Sequence, residues 1–158
     1  MNVKRLIALS IVAAVASQVP ASMALTAPVG PPWHLDRINQ AQLPLDGNSV
    51  HGPLTGEGVD IYIVDTGVRP THEQVTGRVL PGIDIPTDNG SEKVSPATSD
   101  CDGHGTHVAG LAAGSTVGVA TRARLIAVRV LDCNGDGEVA DVVTALQWVR
   151  LHHRSGVA

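Results

Sequence analysis

Two short apolar runs, separated by a segment rich in glycine and alanine, constrain the fold of this chain more than any other sequence feature. The first run, residues 59–64, ends at Asp65-Thr66-Gly67, and the second covers residues 125–130. Apolar runs of this length indicate strands that are buried on both faces. Residues 104–113 and 139–152 are predicted to be helices, the second because its apolar side chains recur at helical spacing. Strands alternating with helices predict an α/β fold in which helices flank a mostly parallel sheet.

The composition narrows the range of partners. The 158 residues include no Phe and 2% aromatic residues, so the core must be built from Val, Ile, Leu and Ala. Few aromatic side chains are then left to stack on nucleic-acid bases. The formal net charge is −4 and the chain has no basic run, which also argues against nucleic acid as a partner. With 43% hydrophobic and 16% charged residues, the chain is expected to fold.

The N-terminal segment, residues 1–24, has the pattern of a secretory signal peptide. Lys4 and Arg5 precede an apolar run at residues 6–16, and small residues at 22–24 provide a cleavage site. The run is too short to span a bilayer comfortably, and a buried N-terminal helix is the alternative. We therefore expect a secreted, extracellular chain with no membrane association after signal removal.

The rest of the chain divides by composition. Residues 25–56 are rich in Pro, Asn and Gly and are predicted to form an N-terminal arm with little regular structure. Residues 81–103 are predicted to be a long surface loop. Cys101 and Cys133 are the only cysteines, and an oxidising compartment favours a disulfide between them over two free thiols. Closing that loop would stabilise the fold by roughly 3–4 kcal/mol.

Asp65 and His104 are the strongest candidates for catalytic residues. Asp65 follows a predicted parallel strand, and such strands collect functional groups at their carboxyl ends. His104 opens the glycine-rich helix, so its imidazole can face the same crevice. A carboxylate beside an imidazole forms the orienting acid and general base of a nucleophilic triad. Taken alone, the Asp-Thr-Gly tripeptide is a turn, and either His104 or His107 could be an ordinary packed histidine.

Both residues stand in longer motifs that are similar to those of the subtilisin-like serine proteases. These motifs are Val64-Asp65-Thr66-Gly67-Val68 and Asp102-Gly103-His104-Gly105-Thr106-His107-Val108-Ala109-Gly110. Segments 33–38, 100–104 and 130–135 resemble the secreted proteinase K and aqualysin branch, with its disulfide-bearing segments. The resemblance covers about residues 31–153 and implies a subtilisin-like α/β fold.

The resemblance implies roles for individual residues. Asp65 resembles the triad aspartate and His104 the general base, while Gly105 and Thr106 resemble the small residues that let the helix approach the sheet. Protein or peptide substrates are then the expected partners. Their backbone would pair with an edge strand beside an apolar pocket, formed by Leu131, Gly135, Asp136 and Gly137. The charges of Asp136 and Glu138 predict tolerance of basic substrate residues.

A calcium site is a further implication of the resemblance. Five oxygen-bearing residues with the spacing of the family's site occur in the arm, and hard oxygen ligands suit Ca²⁺: Asp36, Asn39, Gln40, Asp46 and Asn48. Asn39 replaces the usual second acid, so we expect weaker binding. The alternative is a polar, solvated arm.

The resemblance to the subtilisin-like serine proteases is incomplete, because no serine in the chain lies within the family's Gly-Thr-Ser-Met-Ala motif. Ser155 lacks that motif. Residues 57–158 are therefore expected to be the N-terminal part of a truncated catalytic domain, inactive as given and monomeric if complete. Three other functions remain open. They are a dimeric aspartic protease using Asp65-Thr66-Gly67, a noncatalytic metal-binding module using Asp102, His104 and His107, and a peptide-binding stub.

Overall fold

The computed structural model describes residues 30–49, 53–85 and 99–153. The predicted signal peptide, residues 1–24, lies outside the described residues. Among the helices in the described ranges, none combines the length and hydropathy needed to span a bilayer.

Three parallel strands form the described sheet. They are β1 (Asp60–Asp65), β2 (Val79–Asp84) and β3 (Arg124–Arg129), in the order β1-β3-β2. β3 pairs in parallel with both neighbours, and Asp65 stands opposite Arg129. The predictions of a parallel sheet and of strands near 59–64 and 125–130 are confirmed, each strand shifted by one residue.

Three helices occur within the described residues. They are α1 (Trp33–Asn39), α2 (His104–Ala113) and α3 (Val139–His152), and the last two have the predicted bounds. α1 contradicts the prediction of little regular structure in the arm. Burial of Leu35 and Asp36 anchors this short helix, and the carbonyl of Pro32 accepts hydrogen bonds from both backbone N–H groups.

β2 is a second difference, because residues 81–84 were expected to begin a surface loop. Pro81 and Gly82 are typical of turns, but here they fall where the β2–β3 register shifts. A Cβ on Gly82 would lie 1.7 Å from the Ala127 carbonyl oxygen, so only glycine permits this approach. Pairing with β3 therefore overrides the local turn preference.

The sheet separates two apolar clusters. On one face, α2 packs its small side chains Ala109 and Ala113 against Ile63, Leu125 and Ala127. On the other face, α3 contributes Ala145, which packs in a cluster with Ile83, Ile85, Ile126, Val128 and Val130. Alternate residues of β3 thus point into opposite clusters, as its pleat requires. With both faces covered, the carboxyl ends of the strands form the accessible edge that carries the candidate site.

Candidate active site

Asp65 is the last residue of β1 and presents a mostly buried carboxylate. Its side chain is 12% exposed. The Thr66 backbone N–H donates to its Oδ1 at 2.7 Å, and its carbonyl accepts from the Val130 N–H at 2.9 Å. These bonds hold the carboxylate in one orientation at the carboxyl edge of the sheet.

His104 is the first residue of α2 and meets that carboxylate. Its Nδ1 lies 2.8 Å from Oδ1 and 3.0 Å from Oδ2 of Asp65. The His104 side chain is 61% exposed. Nδ1 is therefore occupied by a buried acid, which leaves Nε2 as the nitrogen free to exchange a proton.

The surroundings of His104 favour its protonated form. The hydrogen bond with Asp65 raises the pKa of His104, and the negative charge of Asp65 raises it further. Desolvation opposes these effects, while the charges of Asp102 and Asp100 add to them. The pKa of His104 thus lies above its ordinary value.

Two glycines allow the strand end and the helix start to meet. A Cβ on Gly105 would lie 2.0 Å from the Gly67 carbonyl oxygen, and Gly67 has φ +111°. The Gly105 backbone N–H donates to Thr66 Oγ1 at 2.9 Å. The expectation that Gly105 permits a close approach therefore agrees with the structure.

A disulfide joins Cys101 to Cys133, as predicted, with an S–S distance of 2.01 Å. It links the segment just before α2 to the loop that follows β3. The alternative of two free thiols is wrong. Arg129 lies beside this bridge, with Nη2 3.7 Å from Cys101 Sγ, and its Nη1 contacts Asp84 at 3.3 Å.

The predicted substrate-binding residues lie in the loop after β3. Leu131 packs against the α3-side core, whereas Gly135, Asp136 and Gly137 are exposed and do not form a strand. Asp132 organises the loop because its Oδ1 accepts the backbone N–H groups of Asn134 at 2.8 Å and Asp136 at 3.0 Å. These hydrogen bonds, Asn134's first, lower the pKa of Asp132. The substrate role of this loop stays a prediction.

The five candidate calcium ligands lie in α1 and in the segment that follows it. Asp36 is 4% exposed; its Oδ2 accepts the Gly47 N–H at 2.9 Å, while its Oδ1 is buried without a hydrogen-bond partner. Gln40 Oε1 accepts the Asp46 N–H at 3.1 Å, and Asp46 Oδ1 accepts the Asn48 N–H at 2.9 Å. Asn39 Nδ2 donates to the Asn48 carbonyl at 2.7 Å. The buried, unpartnered Asp36 oxygen is a hard donor of the kind that Ca²⁺ prefers. The calcium site stays a prediction.

The structure argues against a histidine metal centre. Across residues 30–49, 53–85 and 99–153, no group of three or more His, Cys, Asp or Glu side chains could hold a metal ion. His107 is exposed and lines a cavity of about 610 Å³ with Trp33, His34 and His72. The metal-binding module using Asp102, His104 and His107 therefore has no structural support.

One acid near the site went unnoticed in the sequence. Asp100 accepts hydrogen bonds from both the turn after β1 and the first turn of α2. An aspartate shortly before a helix is a common capping signal, and that signal could have drawn attention to it.

A buried carboxylate beside an exposed imidazole at the carboxyl edge of a parallel sheet has the geometry that the orienting acid and general base of a triad hydrolase require. Residues 56–157 match the subtilase family. The chain belongs to the subtilase family. The dimeric aspartic protease alternative is therefore wrong, since Asp65 pairs with a histidine of its own chain.

Individual relatives agree with this assignment. The chain is 49% identical over 121 residues to the extracellular serine proteinase of Thermus sp. (strain Rt41A), covering 77% of this chain and 28% of the relative. It is 45% identical over 117 residues to the alkaline serine exoprotease A of Vibrio alginolyticus, covering 74% of this chain and 21% of that relative.

A solved structure supports the fold. The crystal structure of a cold adapted subtilisin-like serine proteinase aligns with a TM-score of 0.70 and 42% identity, covering 79% of this chain and 43% of that one. The predicted subtilisin-like α/β fold is thereby confirmed. The chain spans between 21% and 28% of the length of the two curated relatives named above.

Proposed function

We propose that this chain carries the acid–base half of a secreted serine endopeptidase site, with Asp65 as the orienting acid and His104 as the general base. The contact between His104 Nδ1 and the Asp65 carboxylate supports this proposal most directly. Asp65 holds the imidazole in the tautomer that carries its proton on Nδ1. Nε2 then accepts the proton of an attacking hydroxyl and later donates it to the leaving amine.

The nucleophile is the missing part of this reaction. None of the 158 residues is a serine in a Gly-Thr-Ser-Met-Ala setting, and Ser155 lies outside the described residues. We therefore expect the 158-residue polypeptide alone to leave peptide bonds intact. A peptide-binding role without cleavage is compatible with that expectation.

The coding sequence after Ala158 and the activity of its product test the proposal. An open frame that encodes the serine segment should yield a product that cleaves an unlabelled protein substrate. In that product, His104→Ala should lower kcat/KM by roughly 10³-fold or more, whereas Asp60→Asn, at the far end of β1, should leave it near the parent value. Retention of activity in His104→Ala would refute the assigned base. Labelling of the 158-residue chain by a fluorophosphonate would refute its inactivity.

The substrate class follows from the loop after β3. Gly135 and Gly137 have no side chains of their own to keep an extended peptide from their backbone, and Leu131 would contribute to an apolar pocket. Asp136 and Glu138 are exposed and negatively charged. Peptides with basic residues should therefore bind at least as well as matched acidic peptides. No role for nucleic acid is proposed, and the complete protein is expected to act as a monomer outside the cell.

A structural calcium ion is the proposed cofactor. Asp36, Gln40 and Asp46 would supply side-chain oxygens, with further ligands from Asn39 and Asn48, and the ion would stabilise the arm. Because the set contains two carboxylates, a third should strengthen binding. Titration calorimetry with CaCl₂ should show tighter binding for Asn39→Asp and none for Asp36→Asn. Equal heats for all three chains would contradict the site.

A further inference from the structure

Asp100 holds together the two elements that carry the candidate catalytic pair. Its Oδ1 accepts the Thr66 hydroxyl at 2.8 Å and the Gly103 backbone N–H at 2.7 Å. Its Oδ2 accepts both the backbone N–H, at 2.8 Å, and the hydroxyl of Thr106. Four donors therefore converge on one carboxylate, two on each oxygen.

These donors belong to different elements. Thr66 follows Asp65 directly in the turn after β1, whereas Gly103 and Thr106 flank the start of α2 next to His104. The two threonine hydroxyls extend the links, because Thr66 Oγ1 accepts the Gly105 N–H at 2.9 Å. Thr106 Oγ1 in turn accepts the Arg69 N–H at 3.0 Å. The strand end and the helix start are thus cross-linked around Asp100.

The same carboxylate completes the N-terminus of α2. A helix leaves its first backbone N–H groups without partners inside the helix. Here Asp102 accepts the N–H of His104 at 3.0 Å, Thr66 accepts that of Gly105, and Asp100 accepts that of Thr106. The position of the first α2 turn therefore depends on side chains that also contact the β1 turn.

We propose that Asp100 is a positioning residue that sets the separation of Asp65 and His104 by bridging Thr66 to the first turn of α2. This inference rests on the proposed function, since it concerns the geometry of the same pair. Among the described residues, Asp100 forms no hydrogen bond with the imidazole or with the Asp65 carboxylate. Its charge acts on His104 directly, whereas its hydrogen bonds act through Thr66 and Thr106. A carboxylate is required because an amide in its place would set its NH₂ donor against the backbone N–H of either Gly103 or Thr106.

The protonation behaviour of Asp100 supports this role. Burial raises the pKa of Asp100, but hydrogen bonds from Thr106, Gly103 and Thr66 together lower it below its ordinary value. The bridge is therefore charged and intact at neutral pH.

Nuclear magnetic resonance of the 158-residue chain tests the proposal. Asp100→Asn should weaken the downfield His104 Nδ1–H signal of the Asp65 contact and lower the pKa of His104. Asp102→Asn is the matched control, because it removes a neighbouring charge that raises the same pKa at least as much. If Asp100 acts only through its charge, Asp100→Asn will lower the pKa of His104 no more than Asp102→Asn does and will retain the Nδ1–H signal, which would overturn the proposal.

A second pair of variants keeps the test decisive if Asp100→Asn does not fold. Thr66→Val removes the bridging hydroxyl and should weaken the Nδ1–H signal, whereas Thr66→Ser should retain it. Equal signals in both would overturn the bridge. Asp65→Asn tests the assigned pair separately from the role of Asp100. If Asp65→Asn loses the Nδ1–H signal while Asp100→Asn has the same signal and His104 pKa as Asp102→Asn, only the role of Asp100 is refuted. Retention of the signal in Asp65→Asn would instead refute the pair itself.

Discussion

At the scale of single residues, the site depends on a contrast in exposure between two side chains that share a hydrogen bond. The Asp65 side chain is 12% exposed and that of His104 61%. The acid is thereby fixed and shielded, while the imidazole is open to solvent. A buried acid that orients an accessible base provides both the correct tautomer and stabilisation of the imidazolium.

The raised pKa of His104 predicts a pH dependence of stability. The folded state binds this proton more tightly than the unfolded state, where a histidine titrates near about 6.5. The contribution is therefore fully present below that pH and is lost as pH rises through the higher folded value. Urea unfolding across this window should show a free energy of unfolding that falls with pH.

Asp65→Asn should flatten that decline, because it removes the two largest causes of the raised pKa. Asp60→Asn is the control, since Asp60 pairs with Arg124 at 2.6 Å at the opposite end of β1. An equal decline in Asp65→Asn and the parent chain would show that another group titrates.

The residues in and around the candidate site differ in how well the sequence alone could predict their contacts. Asp65 and His104 could be predicted because each sits in a local motif that specifies a strand end or a helix start. Asp100 could be predicted only as a helix-capping residue, because its bridge to Thr66 spans 34 positions and exists only in the folded chain. Predicting the disulfide required only two cysteines and an expected oxidising compartment.

At the scale of elements, local pattern specified α2, α3, β1 and β3, whereas nonlocal contacts specified the rest. β2 contains Pro81 and Gly82, and only its pairing with β3 makes that segment a strand. α1 has few helix signals of its own and is held by two buried residues. Local sequence propensity therefore predicted the elements that have a clear apolar pattern. It was misleading for β2 and α1, whose conformation is decided by contacts with other parts of the chain.

Two glycines of α2 provide a matched test of the contact between strand and helix. Gly105→Ala would bring a Cβ within 2.0 Å of the Gly67 carbonyl oxygen, whereas a Cβ on Gly110 meets nothing within 4 Å. Gly105→Ala should lower the free energy of unfolding by about 1–3 kcal/mol and lower the pKa of His104. Gly110→Ala should raise stability by about 0.5–1 kcal/mol through helix propensity and leave that pKa unchanged.

Chemical denaturation and a histidine titration measure both effects. Gly105→Ala with parental stability and an unshifted His104 would mean that α2 does not approach the β1 turn as closely as described.

At the scale of the whole molecule, the disulfide joins the two loops that flank the site. Cys101 lies three positions before His104, and Cys133 lies in the loop proposed to contact substrate. The bridge spans a sequence separation of 32 residues. Replacing both cysteines with serine should therefore destabilise the chain by roughly 3–4 kcal/mol.

Urea unfolding of the oxidised chain, the reduced chain and the double serine variant would measure this effect. The reduced chain and the serine variant should agree with each other and fall below the oxidised chain. Three coincident transitions would contradict a stabilising bridge.

The central claim is that Asp65 orients His104 through Nδ1, and ¹⁵N-resolved titration of the His104 ring tests it most directly. The account predicts a neutral imidazole with its proton on Nδ1 and a pKa above the ordinary histidine value, with both features lost in Asp65→Asn and kept in Asp60→Asn. A neutral His104 that carries its proton on Nε2, or a pKa unchanged by Asp65→Asn, would contradict it.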